Sequence, residues 1–356
     1  MSSPHTSLPT PRQSDAGFTL AETLIACSLT LLVFTGAIET LTRASSLVGT
    51  AKVISETNHG LQAGMSLMVR DLMMAGQGMP TGGVSIPNNA GAPLAIVRPG
   101  PTAGLQFPPG TTMPSLSPGA SLGPFAYGTA PDNSPNGPPT DMVTLFYVDR
   151  TLNLSQFPLA AIAANGSTMT VNAGTNILGP DGIKAGDIIM FTNANGSALQ
   201  TVTVTPVNQT VTFGLNDALG FNQRAATDGT ILDLQSPVNV YPTTVANRVL
   251  MVSFYVDAIT DPTLPRLVRR VNNGAPLAIA MGVENLQITY DFVDGAANPT
   301  NQDTTPAGKS PNMIRKANLY LSARSQDVNP QTRKYFRNSM ATQVGLRSLS
   351  FKDRYR

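Results

Sequence analysis

Gly17-Phe18-Thr19-Leu20-Ala21-Glu22 opens a run that carries no charge from Thr23 to Ile38, and so places one carboxylate inside an otherwise membrane-grade helix. A charged side chain at the centre of a bilayer costs about 2.5 to 3.5 kcal/mol on insertion scales, so Glu22 needs a partner. A chain cut between Gly17 and Phe18 supplies one, because the new α-amino group lies four residues before Glu22. In a chain cut there, the same cationic end on a neighbouring helix would neutralise that carboxylate, and assembly of helices would then provide the missing countercharge.

The order of the parts sets this apart from other targeting signals. A secretory signal carries basic residues, a short apolar core and then small residues at the cut; here the small residue comes first. Leu24-Ile25-Ala26-Cys27 also has the form of a lipoprotein cleavage box. Its upstream side contains Glu22, and the better apolar core, Leu29 to Ile38, lies downstream of it. Cys27, the single cysteine, is therefore expected as a small buried apolar residue.

Phe18 to Leu41 is 24 residues, about 36 Å of helix at 1.5 Å per residue, which crosses a hydrocarbon core of about 30 Å with some tilt. The helical period continues beyond it. Leu47, Ala51, Ile54, Asn58, Leu61, Met65, Met68 and Leu72 recur at spacings of four and three, one face of an amphipathic helix. Lys52, Glu56, Gln62, Arg70 and Asp71 fall between them and define an expected wet face. The pattern predicts a helix from Phe18 to Met74, loosened by Gly49, Gly60 and Gly64 and ended by Gly76, Gly78 and Pro80.

The remaining sequence is poor in charge, at 12 per cent, and rich in breakers, with 31 Gly and 29 Pro in 356 residues. That composition fits a loop-rich β domain outside the cytoplasm. A single cysteine excludes an intramolecular disulfide, so the domain rests on packing. Pro80 to Thr140 holds 14 of the 29 prolines and reads as a long surface excursion, with short apolar pieces at Leu94 to Val97 and Leu105 to Phe107.

Strand signals follow at Met142 to Val148, Thr168 to Val171, Asp187 to Thr192, Leu199 to Thr205, Thr210 to Gly214 and Thr230 to Asp233. A second set runs through Arg248 to Val256, Arg266 to Val271, Leu286 to Phe292 and Ala317 to Ser325. Without βαβ alternation, the expected sheets are antiparallel and the fold class is α+β.

Gly17, Phe18, Thr19, Leu20 and Glu22, followed by the apolar run, resemble the signal of type IV prepilins and pseudopilins, in which a prepilin peptidase cuts after Gly and methylates the new N-terminal Phe. Further on, Val69-Arg70-Asp71-Leu72-Met73-Met74-Ala75-Gly76, Thr140-Asp141-Met142-Val143-Thr144-Leu145, Ala185-Gly186-Asp187-Ile188-Ile189-Met190, Gly282-Val283-Glu284-Asn285-Leu286-Gln287-Ile288-Thr289-Tyr290 and Val344-Gly345-Leu346-Arg347-Ser348 are similar, in that order, to PilW-type minor pilins. PilW proteins are themselves similar to the J-type pseudopilins of type II secretion, so two machines stay open, with length and the Gly-Asp strand leaning towards the pilus.

The resemblance implies a pilin-like layout. Residues 1–17 form a leader, 18–41 the transmembrane half of a long helix and 42–76 its amphipathic half. Residues 77–140 form a Pro/Gly-rich loop excursion, and 141–356 an antiparallel β-rich globular domain with Val344 to Ser348 in its closing strand. It implies processing at Gly17 and Phe18, assembly through Phe18 and Glu22, single-pass storage in the inner membrane with the C-terminal domain outside, and then a place in the fibre. The implied partners are the prepilin peptidase, other major and minor pilins and the inner-membrane assembly platform. The implied role is to prime fibre assembly or to sit at the tip.

Catalytic patterns are scarce. The two histidines, His5 in the leader and His59 on the helix, make no triad or zinc set. No phosphate-cradling loop or dinucleotide fingerprint occurs, and Asp141, Asp187 and Asp291 read as strand-end or turn residues. The expectation is a protein that is not an enzyme and carries no cofactor. Asp294, Asn298, Asn301 and Asp303 crowd one loop with hard oxygen ligands suited to calcium, although turn chemistry accounts for them equally well.

Residues 309 to 356 hold 11 Lys or Arg against Asp327 and Asp353, a local +9, leaving −7 for the rest. Tyr320, Tyr335, Phe336, Phe351 and Tyr355 interleave with that charge, the composition of a nucleic-acid surface. The favoured alternative is a basic face that docks the acidic body of an adjacent pilin. A membrane-anchored adhesin or DNA-binding pilus component is the opposing class, with the helix as a mere tether.

Overall fold

A computed structural model describes residues 17–126 and 137–349. Residues 1–16, including His5, and Phe351 and Tyr355 of the basic tail lie outside the described residues. Helix α1 runs Leu20–Met74, 55 residues. Seventeen strands follow: β1 (Val84–Ser85), β2 (Asn88–Asn89), β3 (Ala92–Pro93), β4 (Thr112–Met113), β5 (Leu116–Gly119), β6 (Met142–Val148), β7 (Ala161–Ile162), β8 (Thr168–Thr170) and β9 (Ile188–Asn193). After these come β10 (Gly196–Thr201), β11 (Thr210–Thr212), β12 (Val245–Asp257), β13 (Arg266–Val271), β14 (Leu277–Met281), β15 (Val283–Phe292), β16 (Ile314–Val328) and β17 (Tyr335–Gly345).

The main sheet runs β14-β13-β12-β9-β10-β1-β4, with β6 joined to β12 and β5 to β6. A second sheet is the meander β15-β16-β17. Pairing is antiparallel throughout except between β1 and β10. The layout is thus α+β, one long N-terminal helix with a mostly β globular domain.

Alternation along the central strands divides the interior. On β6 and β12, Val143, Leu145, Tyr147, Val252, Phe254 and Val256 turn to the side covered by α1 and the β15-β16-β17 sheet. Phe146, Val249 and Met251 turn to the other side and join Ile188, Met190 and Leu199. This is the period of two expected of a sheet covered on both faces. A third cluster, around Phe191, Val211, Phe213 and Ile231, fills a lobe built largely from the chain between β6 and β12.

Only the C-terminal half of α1 packs on this domain. Its buried residues are Val53, Thr57, Leu61, Gly64, Met65, Met68, Asp71 and Leu72. The sequence stripe therefore holds from Leu61 onward, but Leu47 and Ala51 are exposed, and Val53 and Thr57 take the seam in place of Ile54 and Asn58. Gly64, which on propensity alone loosens the helix, marks its closest approach. A Cβ there would stand 3.1 Å from Ala280 Cβ and Leu267 Cδ2, so the small residue lets α1 settle onto β13 and β14. Asp71 belongs to the core, not the wet face, because Arg269 meets it at 2.6 Å.

Other expectations need correction. Residues Pro80 to Thr140 are not mainly a surface excursion: Val84, Ile86, Ile96, Phe107, Met113 and Leu116 are buried, and all of β5 is buried against β6. Residues 127–136 of that stretch lie outside the described residues. Prolines here shape turns that return the chain to the sheet, so loop composition coexists with burial. Thr230 to Asp233 begins a 3-10 turn, Ile231–Leu234, because Thr230 and Asp233 form a capping box. The closing strand is Tyr335–Gly345 and stops before Leu346; its outer face is polar, which hid its alternation. Cys27 is exposed on the helix, not buried.

One arginine ties the lobe built between β6 and β12 to the sheet. Arg248 on β12 meets Asp149 Oδ2 from Nη2 at 2.6 Å and Asp187 Oδ2 from Nη1 at 3.5 Å, and donates to the carbonyls of Asp181 and Gly182. Burial pushes Asp149 up, but the N–H and hydroxyl of Thr151 and the Arg248 guanidinium outweigh it and hold the carboxyl below its usual range. At Asp187 burial wins and the pKa is raised. A depressed folded pKa gives stability that is fully present above the unfolded value and is lost as pH falls through the folded one. Asp149→Asn is expected to cost about 1.5 to 3 kcal/mol at pH 7, the worth of hydrogen bonds to charge. The difference from the wild type should shrink towards zero as pH falls below about 3.9, the unfolded Asp value. Urea titrations at a series of pH values check this; a pH-independent difference contradicts it.

Candidate functional site

The start of α1 assembles the three residues singled out by the sequence. Thr19 is the N-cap, in extended conformation. Its N–H and Oγ1 donate to Glu22 Oε2 at 3.0 and 2.9 Å, and the Glu22 N–H donates to Thr19 Oγ1 at 3.3 Å. This reciprocal capping box satisfies two of the N–H groups that every helix start leaves unpaired. The Thr-x-x-Glu signature was legible in Thr19-Leu20-Ala21-Glu22; reading Glu22 only as a membrane charge in search of a neighbour passed it over. Glu22 therefore has a partner within its own chain. Only Oε2 is engaged by side chain and backbone among the described residues, so Oε1 is left able to accept from outside.

Gly17 and Phe18 precede the first helical turn. Phe18 is 89% exposed, and no heavy atom stands within 4 Å of where a Cβ on Gly17 would lie. Both residues are thus uncovered among the described residues. From residue 17 to residue 45 every residue is exposed, and Leu24, Leu32, Phe34 and Leu41 project from the helix without cover. One segment of α1 is long and apolar enough to span a membrane. Glu39 and Arg43, an i,i+4 pair at 2.6 Å, mark the end of the uncharged run.

The Asp294 loop is organised by its own turns. Asp294 Oδ1 accepts the N–H groups of Ala296 and Asn298 at 2.8 and 3.0 Å, while Lys309 Nζ lies 2.5 Å from Oδ2. Lys309 and these N–H groups hold Asp294 well below the usual carboxylate range. Asn298 Oδ1 accepts from the N–H of Asp294 and of Gly295, Asn301 Oδ1 from Asn318, and Asp303 is exposed. The side-chain oxygens of Asp294 and Asn298 thus serve turn hydrogen bonds and an ammonium group, and that of Asn301 serves Asn318.

The other carboxylates also have internal work. Asp141 accepts the N–H of Ser121 and of Ile288, each at 2.8 Å, and so stitches β6 to β15. Asp187 accepts from Lys184 N–H, and Asp291 from Asn301 N–H and Asn318. The basic C-terminal region is partly neutralised from within: Arg337 and Arg324 flank buried Glu284 at 2.8 and 3.6 Å, Lys309 holds Asp294, and Arg324 stacks over Tyr335 at 4.4 Å. His59 is exposed on α1.

Comparisons with known proteins return nothing: no family model, no curated protein and no solved structure matches this chain.

Proposed function

We propose that this chain is a minor pilin of the PilW type, a structural subunit that the apolar half of α1 stores in the inner membrane until a type IV pilus is built. What carries this reading is the join of an uncovered Gly17-Phe18 pair, a capped Glu22 and an uncovered apolar helix half on a chain whose other helix half is packed on a β domain.

Cleavage by a prepilin peptidase frees the Phe18 amine one residue before the N-cap. In hydrocarbon, an ammonium and a carboxylate each need a partner. Glu22, oriented by Thr19 through Oε2, offers Oε1 to the ammonium of a neighbouring subunit, and the pairing sets the axial register between helices. The exposed face from Phe18 to Leu41 then packs among the helices of other pilins, while the assembly platform moves the stack outward. The β domain stays outside the membrane, and the subunit primes the fibre or caps it. The pseudopili of type II secretion share this chemistry, and the subunits that co-purify with the chain separate the two fibres.

Mass spectrometry of the mature protein tests the proposal. The expected N-terminus is N-methyl-Phe18. A chain that retains residues 1–17, or one that begins at a lipid-modified Cys27, overturns it.

A further inference from the structure

The hairpin of β16 and β17 runs along α1 towards its uncovered half. Asn338 Nδ2 donates to Asn58 Oδ1 at 2.8 Å. Nearer the apolar run, Thr50 Oγ1 donates to Asn329 Oδ1 at 3.1 Å, and Pro330 Cγ stands 3.0 Å from where a Cβ on Gly49 would lie. Passing from Asn338 to Pro330 on the hairpin is thus passing from Asn58 to Gly49 on the helix, so the turn that closes the hairpin lies at the membrane-proximal end of the β domain.

That turn is well fixed. Asn329, 6% exposed, accepts on Oδ1 the N–H groups of Gln331 and Thr332 at 2.8 and 3.2 Å. Its carbonyl accepts the N–H of Arg333 at 2.8 Å, and its own N–H donates to the Lys334 carbonyl at 2.9 Å. Arg333 and Lys334 are exposed, and neither takes part in an ion pair among the described residues. Arg333 holds a φ of 53°, a region that Gly or Asn occupies at less cost, so turn geometry does not call for an arginine there. The cations of the adjoining helix are already met, Arg43 by Glu39 and Lys52 by Glu56. Asp327, the one acid between Ser325 and Phe336, lies back along α1 in a cleft lined by Val53, Glu56 and Gly60.

The height of this basic turn follows from helix geometry. Ser46 is the first partly covered residue of α1, about 7.5 Å along the axis from Leu41, and Gly49 is about 12 Å from it at 1.5 Å per residue. The headgroup layer reaches about 5 to 8 Å beyond the hydrocarbon core, and the field of a charged surface extends about 8 Å further at physiological salt. With residues 18–41 across the bilayer, Arg333 and Lys334 stand inside that field.

We infer that the Arg333-Lys334 turn docks on anionic phospholipid headgroups and so sets how the β domain stands over the membrane while the chain is stored there. The inference rests on the membrane-spanning part of the proposed function and on nothing in the fibre. A nucleic acid is the less suitable partner: Tyr335 and Phe336 beside the turn are half-buried, and Arg324 stacks over the Tyr335 ring at 4.4 Å, so the turn offers no open ring on which a base could stack.

The test uses the full-length chain in nanodiscs that contain phosphatidylglycerol and a trace of lipid with a nitroxide on its headgroup. A fluorophore is placed on Thr332→Cys, or for comparison on Thr81→Cys, an exposed residue just past the far end of α1, each in a Cys27→Ser background. Strong quenching is expected at residue 332 and none above background at residue 81. In Arg333→Asn with Lys334→Gln, the ratio of docked to free turn read from the quenching should fall roughly thirtyfold, equivalent to about 2 kcal/mol for two cations at an anionic surface. Asn is at ease at positive φ and Lys334 enters the turn through its backbone, so the variant keeps the hairpin. Nanodiscs of phosphatidylcholine alone should show the same fall. A third probe, on the native Cys27 with nitroxide on the acyl chains, reads whether α1 spans. If Cys27 is quenched and residue 332 is quenched no more than residue 81, the inference is overturned and the spanning helix stands; if Cys27 is not quenched, both fall. Quenching at residue 332 that ignores lipid charge or survives the double substitution overturns the inference, as does its loss on adding stoichiometric duplex DNA, which would assign the turn to nucleic acid.

Discussion

Glu22→Val in the full-length chain is expected, on the pilin proposal, to lower its incorporation into fibres roughly a hundredfold while leaving the proposed cleavage at Gly17-Phe18 intact. The number follows from the charge left behind. Without the carboxylate, the ammonium of the neighbouring Phe18 enters the helix stack unpaired, at a cost of about 2.5 to 3.5 kcal/mol, and each 1.4 kcal/mol is a factor of ten. Valine restores no cap, but the loss of one cap costs only about 1 kcal/mol, and the first turn lies far from the buried stretch of α1 that begins at Val53. The β domain should therefore keep its fold, and its thermal midpoint is the control. Immunoblots of sheared fibres against membrane-retained protein read the effect. Wild-type incorporation of this variant would refute the assembly role given to Glu22. Gly17→Ala probes the preceding step, and should leave an uncleaved precursor in the membrane.

The second large effect lies at the seam between α1 and the main sheet. Asp71→Ala is expected to destabilise the chain by about 3 to 5 kcal/mol, the cost of stranding one member of a buried ion pair. Asp71 has no exposed surface, and its Oδ2 lies 2.6 Å from Arg269 Nε on β13, while Oδ1 receives Arg70 at 3.1 Å. Removing the carboxylate leaves the Arg269 guanidinium near Leu267 and Phe254 with, among the described residues, only the Tyr147 hydroxyl at 3.4 Å. Replacing both partners by apolar side chains, Asp71→Leu with Arg269→Met, should recover most of that loss, because a paired charge replaced by packing is often neutral. Chemical denaturation of the detergent-solubilised chain measures both. A loss below about 1 kcal/mol for Asp71→Ala would show that the pair does not hold the helix to the sheet.

How far the sequence could be read depended on whether a signal was local. The strands Met142 to Val148 and Arg266 to Val271 emerged where expected, since short stretches carrying Val, Leu, Phe and Tyr between breakers need no distant information. β14 and β17 did not. Leu277-Ala278-Ile279-Ala280-Met281 carries small residues because α1 presses on it at Gly64, and Tyr335 to Gly345 shows mostly polar residues because one of its faces meets solvent. Each pattern becomes intelligible only when the neighbour is in place. At the helix start the position is reversed: the Thr19 to Glu22 capping box was written in the sequence and could have been found there.

The amino-acid sequence by itself determined the helix, its uncharged first half and the antiparallel β class. Those features rest on spacing and transfer free energy along a single segment, which hold whatever the rest of the chain does. Only the tertiary structure decided that Asp71 is buried, that the proline-rich segment after α1 lines the core, and that Arg98 is buried on neutral oxygens. Each of these depends on residues far apart in sequence arriving at one place. The energy of a buried charge is set by what stands within a few ångströms of it, and that quantity does not exist until the chain is folded.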